Sequence, residues 1–185
     1  MNSAPVVTLL IVLAVIIVAA LVFTTVRKRR SERLRERFGP EYDRVVRKEG
    51  DTKKAEHVLE FREQHRDKFK IRALSPTDQS SFRYRWNEVQ ARFVDDPAGA
   101  VALADGLVTD VMQARGYPIT EFEQQAANIS VDHPVVVENY RNAHEIALRR
   151  DRGQASTEDL RSAMVHYRSL FQELLDDRQI QKKGA

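Results

Sequence analysis

Residues 157–177 read TEDLRSAMVHYRSLFQELLDD. Leu160, Met164, Tyr167, Phe171 and Leu174 recur at intervals of four, three, four and three, which places them on one stripe of an α-helix. Ser156, Thr157 and Asp159 open the segment with a cap and with acid in the first turn. The spacing is that of a heptad repeat but lasts about two heptads, short of the three or four that a coiled coil needs. Packing in a bundle core is therefore expected.

The preceding segments carry the same period. Val136, Val137, Tyr140, Ala143, Ala147 and Leu148 mark one helix, and Phe122, Ala126 and Ile129 a short one after Pro118. Val101, Ala104, Val108, Val111 and Met112 form a stripe widened by Leu103 and Leu107. Phe82, Trp86, Val89 and Phe93 form another, and Trp86 should be buried. Ser75-Pro76 and Asp96-Pro97 pair an N-cap with proline at the first helical position, and Asp132-His133-Pro134 reads as a near variant. Gly39, Gly50, Gly116 and Gly153 stand where helices should stop. No period-two alternation bounded by hairpin dipeptides occurs. The fold class is all-α, with four main helices and one short one in a bundle over residues 75–177.

Residues 27–74 are more polar. Arg27 to Phe38 should prolong an upstream helix until Gly39-Pro40 breaks it. A short helix over Glu41–Glu49 follows, with Tyr42, Val45 and Val46 on one side. The next, Thr52–Lys70, has only Ala55, Val58, Leu59, Phe61 and Phe69 as apolar content, the pattern of a solvated spacer. Upstream lies VVTLLIVLAVIIVAALVFTTV, Val6–Val26, without a charge and followed at once by Arg27-Lys28-Arg29-Arg30. Such a run spans about 31 Å as a helix, close to a bilayer's hydrocarbon thickness. A cleaved signal would carry its positive charge before the run, whereas Met1 to Pro5 carry no charged side chain. The expected organisation is a short extracytoplasmic tail (1–5), a transmembrane helix (6–26), a basic juxtamembrane stalk (27–74), the bundle (75–177) and a frayed tail (178–185). The positive-inside rule places the C-terminal domain in the cytoplasm of a bacterial inner membrane, as a single-pass protein with its N-terminus out.

The formal net charge of +3 hides an asymmetry. Residues 27–72 hold 17 Lys/Arg against 10 Asp/Glu, and residues 73–185 hold 13 against 17. A basic residue near an anionic leaflet contributes about 1 kcal/mol, so the stalk should be drawn to lipid headgroups and the distal half held off. The membrane-surface contacts would be Arg27, Lys28, Arg29, Arg30, Arg33, Arg35 and Arg37. A topological signal and lipid contact account for this cluster, and nucleic acid is not an expected partner. The chain has no cysteine, which excludes disulfides and cysteine-based zinc sites.

Phe38-Gly39-Pro40-Glu41-Tyr42-Asp43, the string Trp86-Asn87-Glu88-Val89-Gln90-Ala91-Arg92-Phe93-Val94-Asp95-Asp96-Pro97, Arg115-Gly116-Tyr117-Pro118, Ser130-Val131-Asp132-His133-Pro134 and Met164-Val165-His166-Tyr167-Arg168 occur in order. Together they resemble a family of bacterial single-span membrane proteins with a helical domain, often described as secreted. The resemblance covers nearly the whole chain and implies no activity, substrate or catalytic residue.

No residue pattern marks an enzyme. Asp95-Asp96 before Pro97 is explained by capping, as is Asp132. No glycine-rich phosphate loop, Gly-x-Ser-x-Gly turn or HExxH motif is present. His57 and His65 are eight apart, too far for a metal-binding pair on one helix face, and should be solvated. No cofactor is expected. The alternative is a metal or small-ligand site, or an enzyme, using His133, His144 and His166 if three helices bring them together. The leading expectation is a non-enzymatic recruiting or scaffolding module that binds a protein partner. An aromatic-and-arginine patch near Arg83, Arg85, Arg92 and a partly exposed Tyr117 would be its anchor.

Overall fold

A computed structural model describes residues 4–176, with side chains from Val12 onward. The expected tails, 1–5 and 178–185, fall wholly or largely outside the described residues. Among the described residues, eight helices follow one another: α1 (Ala4–Phe38), α2 (Pro40–Glu49), α3 (Thr52–Arg66), α4 (Pro76–Arg92), α5 (Pro97–Arg115), α6 (Phe122–Asp132), α7 (Val137–Asp151) and α8 (Thr157–Leu175). No strand occurs among the described residues.

Capping chemistry sets many of these boundaries. Ser75 accepts from the Asp78 amide, Asp96 from the Gly99 amide and Ser156 from the Asp159 amide. Asp159 returns a bond to the Ser156 amide and completes a capping box. Proline occupies the first turn of α2, α4 and α5, where its missing N–H costs nothing.

The main core joins α4 to α8. Leu160, Tyr167, Phe171 and Leu174 of α8 meet Val101, Ala104, Val108 and Met112 of α5, Tyr140 and Ala143 of α7, and Trp86 of α4. Two residues counted in the apolar stripes, Leu103 and Leu148, are instead exposed. Two hydroxyls inside are paired: the Tyr167 hydroxyl donates to Asp105 at 2.9 Å, and the Tyr140 hydroxyl to Gln125 at 3.3 Å.

A second core corrects the reading of the stalk as a spacer. Leu34 and Phe38 of α1, Tyr42 and Val45 of α2, and Ala55 and Leu59 of α3 close on Val131 of α6. The charges of α3 do not make it solvated, because they face partners. Arg37 meets Glu63 at 2.7 Å, Arg33 meets Glu63 at 3.4 Å, and Arg30 pairs with Glu60. Glu56 is buried and accepts from Ser31 and from the Tyr42 hydroxyl. The lower part of α1 is thus a packed element of the domain.

The chain between α3 and α4 docks on the end of α5. The Arg72 amide donates to the Arg115 carbonyl at 2.9 Å, and Arg72 Nε to the Ala114 carbonyl at 2.9 Å. Gly116, with φ of 93°, caps α5 in the left-handed region. A Cβ there would lie 2.5 Å from the Lys70 carbonyl oxygen, so glycine is required for both conformation and space.

Above Arg27 the same helix is bare. Val12, Leu13, Val15, Ile16, Ile17, Val18, Leu21, Val22, Phe23 and Val26 are all exposed. Thr24 and Thr25 return their hydroxyls to carbonyls three residues back. The expected span begins at Val6, outside the described side chains. Among the described residues, no helix is long and apolar enough to cross a membrane.

Candidate functional site

Two features stand out: a charged seam that fastens the stalk to the bundle, and a furrow between α4 and α8.

The seam is centred on Glu41, whose side chain is 1% exposed. It lies in the first turn of α2, where the helix dipole favours negative charge. Its Oε1 accepts from Arg62 of α3 at 2.8 Å and from Arg141 of α7 at 3.0 Å. Arg62 also donates to Ser130 of α6 at 3.2 Å, and Arg141 to Glu123 at 3.1 Å. A second knot follows one turn along α3. Arg66 donates to Asp132 at 2.7 Å, and the Tyr117 hydroxyl donates to the same oxygen at 2.9 Å. Burial works to lower the Arg66 pKa, but the hydrogen bond and charge of Asp132 raise it above its ordinary value. Burial, reinforced by Asp132, pushes the Tyr117 hydroxyl far above the usual phenol range, so it stays a donor.

These contacts correct two expectations. Asp132 caps no helix: it ends α6, His133 follows as the C-cap, and α7 starts only at Val137. Its carboxylate is an ion-pair acceptor. Tyr117 is not a surface anchor, being 3% exposed with its ring in the main core. Two arginines of the expected patch are already engaged, Arg85 with Asp110 and the Phe82 ring, and Arg92 with Asp96 at 2.9 Å. Arg83 is exposed and has no partner among the described residues.

The cations of residues 27–37 divide in two. Arg30, Arg33 and Arg37 are held by α3, and Arg35 by Asp43 at 3.2 Å. Lys28 pairs loosely with Glu32 at 3.8 Å, while Arg27 and Arg29 are exposed and unpaired among the described residues.

The three bundle histidines do not meet. His133 Nδ1 lies 3.3 Å from Glu173, His166 Nδ1 lies 3.0 Å from Asn139, and His144 stacks on Phe122 with centroids 3.6 Å apart. Among the described residues, no group of three or more histidine or acidic side chains is placed to hold a metal. His144 borders a polar cleft of 430 Å³ that also takes in Arg44, Glu123, Arg141 and Asn142. Burial lowers the His144 pKa against the opposing pull of Asp105 and Glu123. On the stalk, His57 is exposed, whereas His65 is half-buried between the rings of Phe61 and Phe69.

Comparison of the chain with family models, curated proteins and solved structures returns no match.

The furrow arises because α4 and α8 both pack on α5 and approach each other chiefly through Trp86 and Phe171, stacked at 4.7 Å. A pocket of 140 Å³ remains, lined by Trp86, Gln90 and Phe93 on one side and Arg161, Met164, Val165 and Arg168 on the other. Sequence periodicity finds the stripe residues that build it. It does not reveal the gap, which depends on the two helices being spread apart by α5.

Proposed function

We propose that the chain is a non-enzymatic module, tethered in a bacterial inner membrane by α1, that presents its helical bundle to a protein partner at the cytoplasmic face. One observation carries this reading. A single helix has an unpartnered apolar surface over Val12–Val26 and, below Arg27, side chains packed into the domain. An apolar surface that continuous needs an apolar solvent or a partner. Counted from Val6, the uncharged run has the length a bilayer demands.

The fastening of α1 adds a mechanical consequence. Leu34, Phe38 and the pairs from α1 to α3 make the tether a stiff extension of the domain. The module then sits at a fixed height and tilt, with Arg27, Lys28 and Arg29 nearest the headgroups. Confinement to a surface raises the effective concentration of a weak binding module near its target.

Alkaline carbonate extraction of native membranes tests the tether, and a reporter fused after Ala185 tests its direction. The protein is expected in the pellet, with the reporter active in the cytoplasm. Release into the supernatant overturns the tether, and a reporter active only outside the cytoplasm overturns the orientation.

A further inference from the structure

The module proposed above needs a contact surface, and the furrow between α4 and α8 has the chemistry of one. Its floor is apolar: Trp86 and Met164 are almost fully buried, and Phe93 is half-buried. Val165 leaves 43% of its surface exposed on the rim, and Val94 at the end of α4 leaves 82%. The charges around this floor are predominantly of one sign. Arg161 and Arg168 lie seven residues apart on the same face of α8, with Val165 between them. Arg83 stands one turn before Trp86 on the facing helix. Arg168 and Arg83 have no partner among the described residues, and Arg161 holds only Glu158, in an exposed pair that water screens. The lining itself thus carries two cations, Arg161 and Arg168, against the one carboxylate of Glu158. Trp86 to Phe93, the lining on the α4 side, covers about 10 Å of helix, the length of about two turns.

From this charge and shape we infer that the furrow binds an amphipathic helix of a partner protein that sets apolar side chains over Trp86 and Met164 and carries Asp or Glu beside them. A groove walled by two helices accepts a third by helix-in-groove packing, with anchors at i, i+3, i+4 and i+7. The guanidiniums fix register by pairing with carboxylates, and rim charges of this kind act on encounter rate and partner choice. A basic helix is rejected by the same charges.

The chain supplies its own probe, since Trp86 is the single tryptophan and forms the furrow's floor. The full chain in maltoside micelles is titrated with a synthetic amphipathic peptide of about four turns, leucine on one face and glutamate beside it, and with its lysine counterpart. The acidic peptide is expected to shift Trp86 emission saturably, and the lysine peptide to leave it unchanged. R161E/R168E should weaken binding by about tenfold or more, with the circular dichroism spectrum unaltered. Failure of the acidic peptide, equal binding of both peptides, or undiminished binding to R161E/R168E overturns the inference. So does a concentration-dependent Trp86 shift without peptide, which would make a second copy of the chain the occupant. Because binding is read in micelles, it is independent of whether the carbonate test upholds the tether.

Discussion

Arg141 of α7 donates to Glu41 of α2 across 3.0 Å, although one hundred residues of chain separate them. Arg62 of α3 reaches the same oxygen, so one buried carboxylate ties together three helices from opposite ends of the domain. Removing it leaves Arg62 with the Ser130 hydroxyl and no carboxylate, and Arg141 with the exposed Glu123 alone. Glu41→Ala is expected to cost about 3–5 kcal/mol, because breaking a buried pair leaves an uncompensated charge. Urea unfolding of the full chain measures this. Glu41→Ala combined with Arg141→Ala should fall short of the sum of the single changes by about 0.5–3 kcal/mol. Strict additivity would mean that the two side chains do not act as a unit.

Gly116 presents a second joint. Its φ of 93° and the Lys70 carbonyl beside it both exclude a side chain. Gly116→Ala should destabilise by more than the roughly 1–2 kcal/mol of the left-handed conformation alone, since the carbonyl must also move. Hydrogen exchange should show faster exchange at the Arg72 amide, which bonds to Arg115 next to the glycine. A variant as stable as the parent would refute the close approach.

His144 makes stability depend on pH. Its folded pKa is lowered by burial, so the unfolded chain takes up the proton first as pH falls. Above the ordinary histidine pKa of about 6.5 both states are neutral and the group contributes nothing to the pH dependence. Below that value the unfolded state gains, and stability is lost until the folded pKa is passed. The denaturation midpoint of the parent should therefore fall between about pH 7 and pH 5, and His144→Phe should reduce that fall. An unchanged or steeper fall in the variant would contradict this role.

Phe38 and Leu34 bear on the stiffness of the proposed tether. Both are fully buried between α2, α3 and α6. Phe38→Ala should cost about 3–5 kcal/mol and Leu34→Ala about 2–5 kcal/mol of the second core's stability. Exchange should accelerate in α2 and α3 before the main core responds. Uniform acceleration through α5 and α8 would show instead that the two cores open as one.

Most of this architecture was legible in the sequence, and the failures have a common cause. The stripe of α8, the Ser75, Asp96 and Ser156 caps and the break at Gly39-Pro40 are local signals, set within one or two turns, and the helices follow them. The stalk misled because α3 shows few apolar residues. Of its few apolar residues, Ala55 and Leu59 are buried against α1 and α2, and Glu60 and Glu63 meet arginines thirty positions away, neither of which periodicity shows. Asp132 has the sequence setting of a cap, but its partner Arg66 lies sixty-six residues earlier. Tyr117 occupies a turn and would be exposed if the turn were free, but the acceptor on α6 draws it inward. The furrow belongs to the same class, since it exists only where two helices are held apart.

Everything proposed for the whole molecule depends on α1 changing solvent at Arg27. Single nitroxides placed in turn at residues 12–38, with the full chain in liposomes, report this through collisions with oxygen and with a water-soluble nickel complex. The account predicts oxygen access without nickel access through Val26, a crossover at Arg27 to Arg30, and helical periodicity beyond, with positions 34 and 38 shielded from both. Nickel reaching Val12–Val26 as readily as Arg29 would contradict it.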